Sequence, residues 1–360
     1  MFLLIDLLPI LLFGLVLCGK GHKRLGRKEL NPDYLSIESS RSIRGFFTIA
    51  VVFHHLAQHT TDGLLFRFFA LVGYFAVSVF FFLSGYGLQS RHLHDKNYKH
   101  GFMARRLLPI LLPYTLITLI YWLTYALLGT RYTLWDVLVG LVDGKPIAMF
   151  SWYIISIIVF YVVFYLLMRL CKERYLLMLL GASIYCLLYI IICVKLDYGS
   201  WWYNAVHILV LGMAWAVYEN RIVTLIKKNY RLTFLLACVI LPSVLHFTGN
   251  RFGLTNIRGV LDVLVGLKAA TFVLSIIVCS LKFTRSNAVL NYLGEISLEI
   301  YLCHGLFIAA LRSNVMYVQS DFVYATLVVL CSVTFAHVFH AGNRWLVEQC
   351  KSKRQADIRD

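Results

Sequence analysis

Residues 44–55 read Arg-Gly-Phe-Phe-Thr-Ile-Ala-Val-Val-Phe-His-His. An apolar stretch with an arginine at one end and two histidines at the other is expensive inside a bilayer. Such ionisable groups are rare there and usually mark a partner or a function. Eleven helical steps are three turns plus about 20°, so a helix puts Arg44 and His55 on one face. The rise separates them by about 16 Å along the axis. With Arg44 at an interface, His55 lies near the midplane. His59 and Asp62 are expected to continue roughly the same stripe.

The rest of the chain supports a membrane setting. Of 360 residues, 60% are hydrophobic and 14% charged, against about 45–50% and about 25% in soluble domains. The apolar residues come in runs long enough to cross a bilayer as helices. Sustained alternation of period two is missing, which argues against a β-barrel. The expected fold is therefore all-α: a polytopic transmembrane helical bundle of about 11 spans. They fall near 2–18, 44–61, 64–88, 107–129, 151–169, 176–194, 201–218, 232–248, 259–280, 288–311 and 321–341. The outer loop 130–150 is apolar but broken by Asp136, Asp143, Gly144 and Pro146, which fits either an interfacial or re-entrant segment or a plain amphipathic surface loop.

The formal charge of +16 reflects topology and not a nucleic-acid partner. Of 34 Lys and Arg, all but Arg67, Arg131, Lys145, Lys195, Arg251, Arg258, Lys268 and Arg312 fall in loops on one side of the bundle or in the C-terminal tail. By the positive-inside rule that side is cytoplasmic. The N-terminus is then outside and the C-terminus inside. Met1 to Cys18 lacks a basic start, and its Asp6 and Pro9 fit a signal peptide poorly, so a retained first helix is expected. The nine cysteines show no CxxC pair and no metal spacing. They read as small apolar fillers, and no metal is expected.

Further motifs follow in order. They are Phe80-Phe81-Phe82-Leu83-Ser84-Gly85-Tyr86, Arg105-Arg106-Leu107-Leu108-Pro109, Ser151-Trp152-Tyr153-Ile154, and the run from Leu293-Gly294 through Ile296-Ser297, Glu299-Ile300-Tyr301-Leu302 to His304. With the Arg-x10-His stretch, this series resembles the acyltransferase-3 family of integral membrane acyltransferases, O-acetyltransferase type. The resemblance covers about residues 44 to 304 and leaves an extra helix and basic loop over 1–43. It implies a single acyltransferase domain with a core over 44–341 and a cytoplasmic tail over 342–360, in a multi-pass protein expected in the bacterial cytoplasmic membrane.

The resemblance also implies the chemistry. An acyl group, commonly acetyl, would pass from a cytoplasmic acyl-CoA to a hydroxyl of a glycan or related acceptor. Arg44, Arg105 and Arg106 would meet the donor's phosphates, since guanidinium forks suit phosphate geometry. Plain topology anchoring is the competing role for Arg105 and Arg106. Ser84 and Gly85 would admit the donor by close backbone approach, or serve close helix packing instead. His55 would be the general base, with a covalent acyl-His variant open. Glu299 and His304, about 140° apart on their helix, would orient it from across the bundle. Trp152 and Tyr153 would bind the acceptor or belong to the interfacial aromatic belt. Asp262 and Lys268 are expected to pair with other buried charges. The alternative function is a transporter or flippase of a glycan or lipid intermediate, although no repeat relates two halves of the chain.

Overall fold

The structure, a computed structural model, describes residues 3–18, 29–251, 258–282 and 287–356. The start of the first expected span, the basic loop 19–28 and the end of the C-terminal tail lie outside the described residues. In chain order the α-helices are α1 (Leu7–Leu17), α2 (Ile37–Ala57), α3 (Leu64–Phe68), α4 (Gly73–His94), α5 (Phe102–Arg106), α6 (Leu108–Leu127), α7 (Leu134–Val142) and α8 (Trp152–Cys171). They continue as α9 (Tyr175–Lys195), α10 (Ile208–Lys228), α11 (Tyr230–Leu235), α12 (Leu241–Arg251), α13 (Arg258–Ser280), α14 (Ala288–Glu295), α15 (Ser297–Leu311) and α16 (Asp321–Ala356). The described residues contain no strand, and one isolated bridge joins Arg312 to Tyr317.

Every expected span contains helix, but the count of eleven crossings does not follow from the helices. Among the described residues seven are long and apolar enough to cross a membrane: α6, α8, α9, α10, Tyr230–Phe247, Gly259–Ser280 and Asp321–Leu346. Two bent pairs raise the number to nine: Leu64–Leu71 with α4, bent by 55°, and α14 with α15, bent by 75°. The N-terminal apolar helix, Leu4–Leu17, is short. The remaining one, α2, carries Glu38, Arg41, Arg44 and four serines or threonines, and it does not need a lipid-compatible surface. From Phe47 to Ala57 all but His54 are buried by protein. Helices α4, α14 and α15 pack around it. By contrast, α9 exposes Leu176, Leu180, Ile184, Leu187 and Ile191, an apolar face suited to lipid.

Small residues set the closest helix approaches, as membrane packing requires. A Cβ on Gly45 would stand 2.0 Å from the Leu290 carbonyl oxygen of α14, and one on Gly294 would stand 1.9 Å from that of Arg41. The α2–α14 contact is thus backbone against backbone from both sides. Ser42 Oγ donates to Asn291 Oδ1 across it at 2.5 Å. Gly85 has the same role between α4 and α10, where its Cβ would lie 2.0 Å from the Leu209 oxygen. The packing reading of Gly85 therefore accounts for it.

The helix ends are tied locally. Ser36 caps α2 by accepting from Ser39 N–H at 3.2 Å. Pro109 sits in the first turn of α6, where its missing N–H costs nothing. Asp6, fully buried, accepts from the backbone N–H groups of Leu64, Leu65 and Phe66 at 2.8–3.0 Å. The residue that fits a signal peptide poorly thus caps α3 and bolts the N-terminal helix to the core. The loop 130–150 carries α7, which has no buried residue and presents Leu134, Trp135, Leu138 and Val142 outward. This is the form of an interfacial helix. Its start is a capping box in which the Thr133 N–H and hydroxyl hold the Asp136 carboxyl below the usual carboxylate range.

The α2–α14 contact predicts a sharp contrast among glycines. Gly45→Ala or Gly294→Ala forces a Cβ into a carbonyl and should cost at least about 1–3 kcal/mol, the scale of overpacking. Gly14→Ala, with nothing within 4 Å of the new carbon, should leave stability unchanged or slightly raised. Thermal unfolding of the detergent-purified variants reads this difference.

Candidate active site: two cavities and a shared aromatic wall

Helix α2 runs past two cavities. The first, of about 600 Å³, lies along its N-terminal half and the C-terminal half of α4. Arg44, Arg91 and Arg106 line it, with Ser84 and Tyr153. Ser297, at the start of α15, lines it too, so the first turn of that helix faces the same space. No carboxylate lines this cavity among the described residues. Three guanidinium groups beside a helix N-terminus make an anion site. Arg44 spends one donor on the Ser40 carbonyl at 3.4 Å and has further N–H groups to offer.

The second cavity, of about 410 Å³, lies along the C-terminal half of α2. It is walled by His54, His55, Tyr74, Trp152, Trp201 and Trp202, with Lys145 and Gln58 also on its lining. Adjacent residues on α8 divide between the two spaces: Trp152 faces the second and Tyr153 the first. Tyr301 lines both. Its hydroxyl donates to the Phe150 carbonyl at 2.7 Å. Phe150 has φ +64°, a conformation that costs a non-glycine residue about 1–3 kcal/mol unless its surroundings hold it. The Tyr301 bond is one such restraint.

His55 is the centre of the arrangement. Its ring stacks on Phe150 with centroids 3.6 Å apart and interplanar angle 16°, and lies 5.3 Å from His304. Its Nδ1 is buried and has no hydrogen-bond partner. Several other described side chains hold orphaned polar atoms, but of these His55 alone lines either cavity. The neighbouring His54 is different. Its Nδ1 donates to the Phe69 carbonyl at 2.9 Å, and its Nε2 accepts from the Gln58 amide at 3.0 Å. Both ring nitrogens are occupied, so His54 is an anchor, whereas the His55 Nδ1 is unpartnered. His304 is fully buried, and its Nδ1 donates to Ile300 O at 3.2 Å. When neutral it therefore keeps its lone pair on Nε2, which has no partner.

The other expected site residues divide. Arg44, Ser84, Arg106 and Tyr153 line the first cavity, and Trp152 and His55 the second. Ser84 Oγ and Tyr153 Oη approach to 3.5 Å. Arg105 is exposed and bonds the Tyr98 carbonyl at 2.7 Å, while Arg106 bonds the Tyr98 hydroxyl at 2.9 Å. Of the pair, Arg106 reaches the cavity and Arg105 braces Tyr98. Glu299 does not meet His55. Its Oε1 takes the Nδ1 proton of His340 on α16 at 2.8 Å, on the other face of α15. The stripe beyond His55 ends because α2 stops at Ala57. The Asp62 N–H instead bonds Asp321, which also pairs with Arg312. Asp262 accepts from the Tyr203 hydroxyl at 3.4 Å. Phe150, Tyr301, Lys145, Trp201, Trp202 and Arg91 were not singled out from sequence. Aromatic residues at helix ends resemble an interfacial belt, and only folding brings these around one histidine.

A search of curated proteins found no match, and neither did a search of solved structures. A family model described as an acyltransferase domain matches residues 37–341. That range begins at the first residue of α2 and takes in the whole lining of the second cavity, all of the first but Leu35 and Ser36, His55 and the shared wall, and it makes the chain a member of the acyltransferase-3 family of membrane acyltransferases.

Proposed function

We propose that the protein transfers an acyl group, acetyl in the first instance, from acyl-CoA in the first cavity to a hydroxyl of a glycan or related acceptor in the second. The observation that carries this reading is His55, which lines one cavity and has a buried, unpartnered Nδ1, while Tyr301 forms a wall common to both. Arg44, Arg91 and Arg106 suit the donor's phosphates, and Ser84 and Tyr153 line the same space, with the Tyr153 ring 5.6 Å from that of Tyr301. The positive-inside bias supports a cytoplasmic opening for the arginine-lined cavity and an outer opening for the other, with the N-terminus outside and the C-terminus in the cytoplasm. Arg105 and Gly85 drop out of the donor site in this reading, and Glu299 acts on α16.

In the reaction, neutral His55 takes the proton of the acceptor hydroxyl. The oxygen attacks the thioester carbonyl, the C–S bond breaks, and the departing thiolate recovers the proton from the imidazolium. His304 packs beside it, with ring centroids 5.3 Å apart, and lines neither cavity. The thioester must reach His55 past Tyr301 and Phe150. Their closed arrangement keeps water from the thioester until an acceptor is present.

Purified protein given labelled acetyl-CoA and a panel of glycans should transfer label. His55→Ala should lower that rate by about 10²–10⁴-fold, the range for a general base, in protein that still folds. Undiminished transfer would sink the proposed base, and translocation of a glycan without label transfer would favour the transporter. His54→Gln should lose stability more than rate. Tyr301→Phe removes a hydrogen bond of about 1 kcal/mol and frees Phe150. Release of free CoA without acceptor should rise, whereas an unaltered hydrolysis rate would show that the Tyr301 hydroxyl does not restrain the wall.

A further inference from the structure

The second cavity has an electrostatic character that a neutral sugar does not call for. Lys145 lines it, and no carboxylate does so among the described residues. The Lys145 ammonium has no ion-pair or hydrogen-bond partner among those residues. Its position is built by the backbone. Gly144 has φ +68°, a turn that favours glycine. The Lys145 N–H donates to the Gly140 carbonyl at 2.7 Å. Tyr198 closes the turn from the other side: its ring lies against Gly144, and its hydroxyl bonds the Val142 carbonyl. Asp143, next to this turn, is exposed and does not line the cavity.

The walls define the rest of the ligand. Trp152 and Trp202 are buried, with ring centroids 6.3 Å apart, and Trp201 stands exposed. Flat π faces attract the partly positive C–H edges of a saturated ring. The Gln58 amide and Ser151 hydroxyl supply polar groups. A volume of about 410 Å³ lies within the range of small-molecule sites, about 300–1,000 Å³.

We propose that the acceptor is an anionic sugar, a pyranose carrying a carboxylate or phosphate, and that Lys145 is the residue that reads its charge. This rests on the second cavity being the acceptor site. The negative group meets Lys145 at the rim while the ring lies among the tryptophans, which orients a hydroxyl toward His55. Carboxylate and phosphate share this chemistry, and the lysine, a point charge with three donors, accepts either.

The test separates binding from catalysis. Binding of methyl glucoside, methyl glucuronide and glucose 1-phosphate to the detergent-purified protein is followed by tryptophan fluorescence. At least one charged sugar should bind about tenfold or more tighter than the neutral one, the scale of a charge-assisted hydrogen bond. Which of the two is tighter tells a uronate acceptor from a sugar phosphate. Lys145→Gln should abolish the preference, Lys145→Arg should keep it, and added salt should weaken it. Equal affinities, or a preference that survives Lys145→Gln, would overturn the proposal and leave Lys145 a lysine of the membrane interface. Charged-sugar binding through Lys145 with no label transferred from acetyl-CoA would instead uphold the site and overturn the reaction.

Discussion

The structure depends on jacketing one polar helix. Helix α2 carries an arginine and two histidines through the bundle, and none of these tolerates lipid contact cheaply. The remedy is contact with protein along nearly its whole deep half, from Phe47 to Ala57. On the α14 side the fit is so close that no side chain intervenes: Gly45 and Gly294 let each backbone touch the other's carbonyls. The glycine after Arg44 is thus part of the reason the arginine can be placed at all. It fixes α2 at the depth where Arg44 meets one cavity and His55 the other.

The break between α14 and α15 follows from the same contact. A straight helix through Gly294 would carry α15 along the line of α14. The 75° bend turns the chain at Ile296, and the Ser297 hydroxyl takes up the Gly294 carbonyl at 2.9 Å. Helix α15 then starts at the first cavity and brings Tyr301 and His304 to the wall beside His55. The bend therefore gives the first cavity a helix N-terminus and gives both cavities their partition. Phe150 completes that partition from the segment before α8.

Much of this was legible in the residues. Helical arithmetic placed Arg44 and His55 on one face and too far apart to touch, and the two cavities separate them in the same sense. Choosing His55 over His54 rested on spacing alone, and the hydrogen bonds of His54 now give a physical reason. Gly85, Arg105 and Glu299 entered with the family resemblance, and their contacts in the fold, Leu209, Tyr98 and His340, come from distant segments or from ordinary loop residues. A carboxylate in a membrane helix advertises a partner but not its direction, and Glu299 turned toward α16. The seven to nine crossings that length and composition give among the described residues leave out α2 for a related reason: it carries charges and hydroxyls, and its deep half faces protein and not lipid.

The orphaned nitrogen of His55 distinguishes a site from a well-packed core. A buried polar group without a partner costs about 1–3 kcal/mol, and the surrounding structure shows how such groups can be satisfied. Asp6 collects backbone N–H groups, Asp321 takes Arg312, and His54 uses both nitrogens. One residue further along α2, with Gln58 within a turn, His55 Nδ1 receives nothing. The orphaned atoms of Glu299, His340 and Asn343 line neither cavity, so no ligand entering these spaces can meet them. His55 combines the unsatisfied atom with a cavity large enough for a partner. A hydroxyl bound there would regain what the unpaired nitrogen costs, and a hydroxyl is also the group from which a base takes a proton.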